Sequence, residues 1–176
     1  MHLNDGLHYG AFDGRTGAPL PTKVSAEKMF TDFTAQVAAC DLIHVRRAER
    51  VLIEDVTLDG NQAKHVLGGE WGDSGRQCKA SGIVLDYVQD ALLKDVTCRD
   101  HALDGILLLQ GHPFVGDPPF AAEGPDRPHR LIRVKCLRNG RQGISWCGWR
   151  GLFCDDGEFS QTGRGAVSSG PGAVGA

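Results

Sequence analysis

The chain has 176 residues, a formal net charge of −3 and 41% apolar residues, close to the values of ordinary folded proteins. The charge is mild and no basic run occurs, so we expect no nucleic acid partner. No apolar stretch approaches the roughly 18 residues that a membrane-spanning helix needs, and we expect no membrane partner either.

Residues 1–40 are predicted to be an extension that precedes the folded body of the chain. The first residues, MHLNDGLHYG, contain no apolar h-region, so the sequence shows no signal peptide. Phe30, Phe33 and Val37 recur at helical spacing within residues 26–39. This segment is expected to be a short helix that covers the first coil, another loop, or a degenerate coil.

A weak internal repeat follows. One element occurs at residues 51–58 (VLIEDVTL), 92–98 (LLKDVTC), 131–136 (LIRVKC) and, more loosely, 153–159 (FCDDGEF). Between these copies, a glycine followed by a short apolar run recurs at Gly82, Gly105, Gly143 and Gly165. Both elements are rich in β-formers and bounded by Gly, Asn and Asp, so each predicts a short strand.

The spacing gives this repeat a definite period. Gly82 to Asp95 and Gly143 to Asp156 both span 13 positions, and Asp95 to Gly105 spans 10. Two insertions, residues 60–81 and 110–129, interrupt the period, and without them each turn has 22 to 23 residues. That period is too short for paired-helix repeats, which need roughly 33 residues, and it indicates a solenoid of strands.

Aligned copies place apolar residues in columns that we expect to face inward, because alternate residues of a strand share one face. A turn column of small polar or imidazole side chains is expected to carry hydrogen bonds between copies, and the recurrent glycine is expected to supply backbone freedom at a corner. The columns are Ile53, Leu93, Leu131 and Cys154; Val56, Val96, Val134 and Gly157; Leu58, Cys98, Cys136 and Phe159; Ile83, Ile106, Ile144 and Ala166; and, at the turn, Asn61, His101, Asn139 and Thr162.

The six cysteines contain no CxxC pair, so no structural zinc site is expected. Cys98 and Cys136 share an inward column on neighbouring copies, about 4.8 Å apart by strand spacing. That distance would permit a disulfide, but buried thiols that fill the column are the expected state.

The pattern of a strand ending in DVTL-DGN and followed by a GI-hydrophobic strand resembles the coil of right-handed parallel β-helices of the pectate-lyase-like (pectin lyase fold) superfamily. The resemblance covers residues 41–172 and leaves 173–176 as a tail. It implies an all-β, single-stranded solenoid of three to four coils. Its members are mostly polysaccharide lyases, glycoside hydrolases and epimerases, others being adhesins and tailspikes, so an extracellular or periplasmic location is implied. Because the last coil has no visible cap, we expect a fragment whose flanking coils lie in a longer chain.

The first insertion is a candidate sugar site. Its Glu70, Trp71 and Asp73 place an indole beside two carboxylates, which could stack on a pyranose and bind its hydroxyls. Alternatively, Trp71 fills a gap and the carboxylates are merely solvated. The second insertion contains five prolines and predicts a stiff lid or interaction arm. Trp149, near the last corner, is either a stacking platform or a core residue.

The corner turns carry the candidate catalytic residues Asp104, Asp100 and Arg141, together with His101 as a candidate for substrate binding. The LDGI segment at Asp104 is similar to the TDGI of polygalacturonases, which implies an acid/base carboxylate there. Arg141 and Gln142 stand where that family would have a second aspartate pair. Arg141 could pair a uronate carboxylate or serve as a base in a lyase reaction. The alternative is a salt-bridge network at a turn.

Two function classes therefore remain open. One is a polysaccharide lyase or glycoside hydrolase acting on an acidic polysaccharide, and the other is a non-catalytic carbohydrate-binding or structural β-helix module. No cofactor and no metal-ligating residues are predicted; calcium is left open as a cofactor, although Asp155 and Asp156 alone are too few ligands to indicate a calcium site. The expected partner is a polysaccharide.

Overall fold

The computed structural model describes residues 1, 8–10, 41–64, 66–68, 80–109, 127–147 and 151–163. Their regular structure is entirely strand apart from one 3-10 turn, so the prediction of an all-β chain is confirmed. The elements are β1 (His8–Gly10), β2 (Ile43–Glu49), β3 (Leu52–Asp59), the 3-10 turn Gln62–Lys64, β4 (Val66–Gly68), β5 (Ile83–Gln89), β6 (Leu92–Arg99), β7 (Ile106–Leu109), β8 (His129–Ile132), β9 (Lys135–Leu137), β10 (Ile144–Cys147), β11 (Leu152–Asp155) and β12 (Glu158–Ser160).

All strand pairs in these residues are parallel, and most belong to two sheets. The four-stranded sheet has the order β10-β7-β5-β2. In the six-stranded sheet, β6 lies between β3 on one side and β8 and β9 on the other, and β11 and β12 follow β8 and β9. Four successive copies of the repeat, β2–β3, β5–β6, β7–β9 and β10–β12, therefore pair side by side in chain order.

The register reproduces the alignment of the copies. Ile53 pairs with Leu93, and Leu93 pairs with Leu131. The strand β2 is a further copy that the glycine-based alignment missed, with Ile43 opposite Ile83. It was missed because its apolar alternation begins without the glycine that marks the other copies.

The inward columns form one hydrophobic core. Leu58, Leu85, Leu93, Leu108 and Leu131 all have no solvent exposure. Full burial of one such side chain stabilises a fold by about 1.5–3 kcal/mol. Burial of the aligned apolar columns is thus the main force that holds neighbouring copies together.

The recurrent glycines do not provide backbone freedom, contrary to the expectation from sequence. Among the described residues, positive φ in a glycine occurs at Gly163, and Gly82 and Gly105 lack it. They are required instead for close approach. A Cβ on Gly82 would lie 2.6 Å from the carbonyl oxygen of Gly105 and 2.7 Å from Nε2 of His101.

The left-handed conformation recurs in one column of aspartate and arginine residues. Asp55, Asp95, Arg133 and Asp156 have φ between 52° and 54° and occupy one column of the alignment. The bend therefore recurs at the same place in every copy of the six-stranded sheet. Asp and Asn tolerate this conformation better than most residues, whereas for Arg133 it costs roughly 1–2 kcal/mol.

Candidate functional site

A groove of about 440 Å³ crosses the six-stranded sheet at the column of left-handed residues that contains Asp95, Arg133 and Asp156. It spans β6, β9 and β12, because Thr97 pairs with Lys135 and Lys135 pairs with Glu158 in the parallel register. A groove of this size falls within the range of small-molecule sites. Its lining consists of three carboxylates, two cations and one hydroxyl: Asp95, Asp156, Glu158, Arg133, Lys135 and Thr97.

The cations of the groove are each beside a carboxylate. Arg133 donates to Asp95 through Nε and Nη2, both at 2.6 Å, and Nζ of Lys135 lies 4.0 Å from Glu158. The hydrogen bond from Arg133 lowers the pKa of Asp95, and the pKa of Arg133 is raised in return, with a further contribution from the charge of Asp156. Asp95 and Arg133 therefore keep their charges at neutral pH.

The predicted catalytic residues Asp104 and Arg141 form a buried ion pair at the corner. Arg141 donates to both carboxylate oxygens of Asp104, through Nε at 2.9 Å and Nη2 at 2.6 Å. Asp104 also accepts hydrogen bonds from Oγ of Ser145 and the backbone N–H of Gln142. Its side chain has no solvent exposure. The hydrogen bonds that Asp104 accepts link the turn before β7 to the turn before β10. The catalytic role of Asp104 stays a prediction.

Asp100 and His101 have comparable structural contacts. Asp100 accepts two hydrogen bonds from Arg138, at 2.8 Å and 2.6 Å. His101 is fully buried, and its backbone N–H donates to Oδ1 of Asn139. This last contact is of the kind that the turn column was predicted to make. The binding role of His101 and the catalytic role of Asp100 likewise stay predictions.

A directional set of ion pairs joins neighbouring copies, and it includes the salt-bridge network at a turn that the sequence left open as an alternative. In five of them an aspartate of one copy meets an arginine 37 to 40 positions later, in the next copy. A signal was present in the sequence, because the alignment already placed acidic and basic residues in shared columns. The pairs are Asp59–Arg99, Asp90–Arg130, Asp95–Arg133, Asp100–Arg138 and Asp104–Arg141, and Arg46–Asp86 runs in the opposite direction.

The predicted sugar-binding residues Glu70, Trp71, Asp73 and Trp149 lie outside the described residues, as do Ala166 and the two insertions for most of their length. The described cysteines of the inward column, Cys98 and Cys136, are free thiols and fully buried. A hydrogen bond between them, together with burial, raises the pKa of Cys136.

Within the part of the chain that the structure describes, no group of three or more His, Cys, Asp or Glu side chains is placed to hold a metal ion. The same residues contain no helix with the length and apolarity that crossing a membrane requires. Comparison with protein-family models, curated proteins and solved structures found no match to this chain.

Proposed function

We propose that the chain is a right-handed parallel β-helix of the pectate-lyase-like kind that binds a carbohydrate chain in the groove of its six-stranded sheet. Parallel pairing of successive copies in a constant register supports the architecture. The lining of the groove carries the functional proposal, because carboxylates, cations and a hydroxyl share one concave surface.

The shape of the groove suits an extended ligand. It runs across the strands, and the distance from β6 to β12 is two strand spacings, or about 10 Å. A carbohydrate chain lying along the groove would meet the side chains of three successive copies. Sugar hydroxyls both donate and accept hydrogen bonds, so they can use Thr97, the carboxylates and the cations together.

The cations of the groove could bind the carboxylate of an acidic sugar. Arg133 and Lys135 are exposed, and exposed ion pairs are weak and easily exchanged. A uronate carboxylate could replace Asp95 as the bidentate partner of Arg133, because the guanidinium fork matches either carboxylate. The groove thus combines a charged anchor with neutral hydrogen-bonding groups.

A polysaccharide lyase or glycoside hydrolase is the second candidate. It is favoured by the presence of Asp156 and Glu158 in the same groove as Arg133 and Lys135. A lysine or arginine there could remove the proton α to a uronate carboxylate, and a carboxylate pair could supply acid/base catalysis. Non-catalytic binding is the first candidate because the carboxylate at Asp104 is committed to Arg141, Ser145 and Gln142.

Binding to defined oligosaccharides tests the proposal. Calorimetric titration with oligogalacturonate and with a neutral glucan oligomer of equal length should show binding of at least one ligand. The double variant Arg133→Gln, Lys135→Gln should weaken oligogalacturonate binding about tenfold or more, since charged hydrogen bonds contribute about 1.5–3 kcal/mol. The matched control is Arg130→Gln, which removes an exposed arginine outside the groove.

The outcomes separate the alternatives. If no carbohydrate binds, or if the double variant binds as tightly as the unaltered protein, the groove is not a carbohydrate site. Release of reducing ends or of unsaturated sugars during the titration would favour the enzyme. Binding without product would favour the non-catalytic module.

A further inference from the structure

One edge of the six-stranded sheet, formed by β11 and β12, resembles the interior of the fold more than its surface. In the inward columns, Leu131 and Cys136 have no solvent exposure. Their partners in the next copy, Cys154 and Phe159, are exposed, Phe159 by 39%. Residues of a core column are therefore partly uncovered at this edge.

Among the described residues, this edge also has unpaired outer backbone groups and an acidic residue, Asp156, with no following copy beside it. The order of the described strands ends at β11 and β12, so their outer edges pair with no described strand. In the interior, the acidic residue Asp95 is met by Arg133 of the following copy. Asp156 occupies the same column, with Asp155 and Glu158 beside it on the same exposed edge.

We propose that this acidic edge, residues 152–160, is a docking site for a strand of a partner polypeptide that carries basic side chains and pairs in parallel. The occupant would place a basic side chain beside Asp156, as Arg133 stands beside Asp95. It would also bury Cys154 and Phe159, just as Leu131 and Cys136 bury the residues of β6 that they lie over. Addition of a strand to an open sheet edge is a general mode of peptide recognition. The inference goes beyond carbohydrate binding and does not depend on it.

The fold itself displays the pattern that the occupant needs. The strand β6, which carries Asp95, is covered by residues 129–137, HRLIRVKCL. There Leu131 lies over Leu93, Arg133 pairs with Asp95, and Cys136 lies over Cys98. A partner strand with apolar residues at the two inward positions of Leu131 and Cys136, and basic residues between them, has the matching chemistry.

A second copy of this chain fits the edge less well. If copies stacked end to end in the same register, the described strand at the opposite edge would be β3. Its Glu54 and Asp55 occupy the columns of Asp155 and Asp156, so carboxylates would face carboxylates. Like charges placed directly opposite are destabilising, which disfavours a second copy and favours a basic partner strand.

The experiment uses the full chain and a fluorescent peptide of residues 129–137 with Cys136→Ser, which prevents disulfide exchange. The control peptide has Arg133→Glu and Lys135→Glu in addition. We expect the basic peptide to bind at least about tenfold more tightly than the acidic control, and to weaken as salt is raised. Asp156→Lys in the protein should abolish the preference, whereas Glu54→Lys at the opposite edge should leave it unchanged.

Site-resolved hydrogen exchange locates the peptide. The outward amides of residues 152–160 should exchange rapidly in the free protein and more slowly with the peptide bound. Three results would overturn the proposal: equal affinity for the two peptides, protection of these amides in the free monomer, or a concentration-dependent dimer in which these amides are protected. Protection would mean that residues of this chain cover the edge, and the dimer would mean that a second copy does.

Discussion

Substitution of Gly105 by alanine is predicted to destabilise the fold because its copies approach too closely to admit a methyl group. A Cβ at this position would lie 2.7 Å from the carbonyl oxygen of Gly143, 2.7 Å from Nδ2 of Asn139 and 2.9 Å from Sγ of Cys136. Ordinary non-bonded contacts lie at about 3.5–4.0 Å, so the neighbouring strand must retreat by roughly 0.7 Å.

The displacement of the neighbouring strand lowers the free energy of unfolding by an amount that can be worked out. The oxygen of Gly143 accepts a hydrogen bond from the N–H of Ile106 at 3.0 Å, and a shift of this size would break it. Overpacking costs about 1–3 kcal/mol and the hydrogen bond about 0.5–1.5 kcal/mol, which gives an expected loss of about 2–4 kcal/mol. Domains of ordinary size have about 5–15 kcal/mol of total stability.

The assay is urea unfolding followed by circular dichroism, with Gly157→Ala as the matched control. A Cβ on Gly157 would meet Sγ of Cys154 at 2.5 Å and the Phe159 ring at 2.8 Å, but both side chains are exposed and can move aside. Neither glycine has positive φ, so backbone strain does not distinguish them. If Gly105→Ala lost less than about 0.5 kcal/mol, or if both variants lost the same amount, the close-approach argument would be refuted.

Three further results are expected. Asp104→Asn should lower the free energy of unfolding by about 2–4 kcal/mol, because it removes the buried charge that Arg141 binds through two hydrogen bonds. Asp95→Asn, at the exposed ion pair, should cause no measurable change in urea unfolding. Burial lowers the pKa of His129, against a smaller opposing effect of Asp90, so the unfolded chain takes up a proton first. Stability should therefore be level above about pH 7 and fall as the pH drops below about 6.5, and His129→Gln should flatten that slope in unfolding measured from pH 7.5 to 5. In the native protein, Cys136 should resist iodoacetamide while the exposed Cys147 is alkylated, because the hydrogen bond that Cys136 makes to Cys98, together with burial, raises the pKa of Cys136. Peptide mass spectrometry would detect the difference, and equal labelling of the two would show that the column opens readily.

Much of the candidate site could not be predicted from sequence. Asp104 and Arg141 were selected because carboxylate and guanidinium groups at a corner can act on uronates. The structure pairs them with each other, with Asp104 fully buried. The groove residues Thr97 and Lys135 belong to none of the inward or turn columns of the sequence alignment. A groove depends on how a bent strand curves, and the alternation of residues along a strand does not specify curvature.

The sequence by itself determined the copies, their strands and their register. Apolar residues with period two must face the same core in every copy, and a shift of one residue would move them all to solvent. For that reason Ile53, Leu93 and Leu131 could be aligned without coordinates, as their pairing confirms. The tertiary structure alone decided where charges meet and why Gly82 and Gly105 are needed. Both depend on distances of a few ångströms between residues about 23 to 40 positions apart, which only packing of the copies can set.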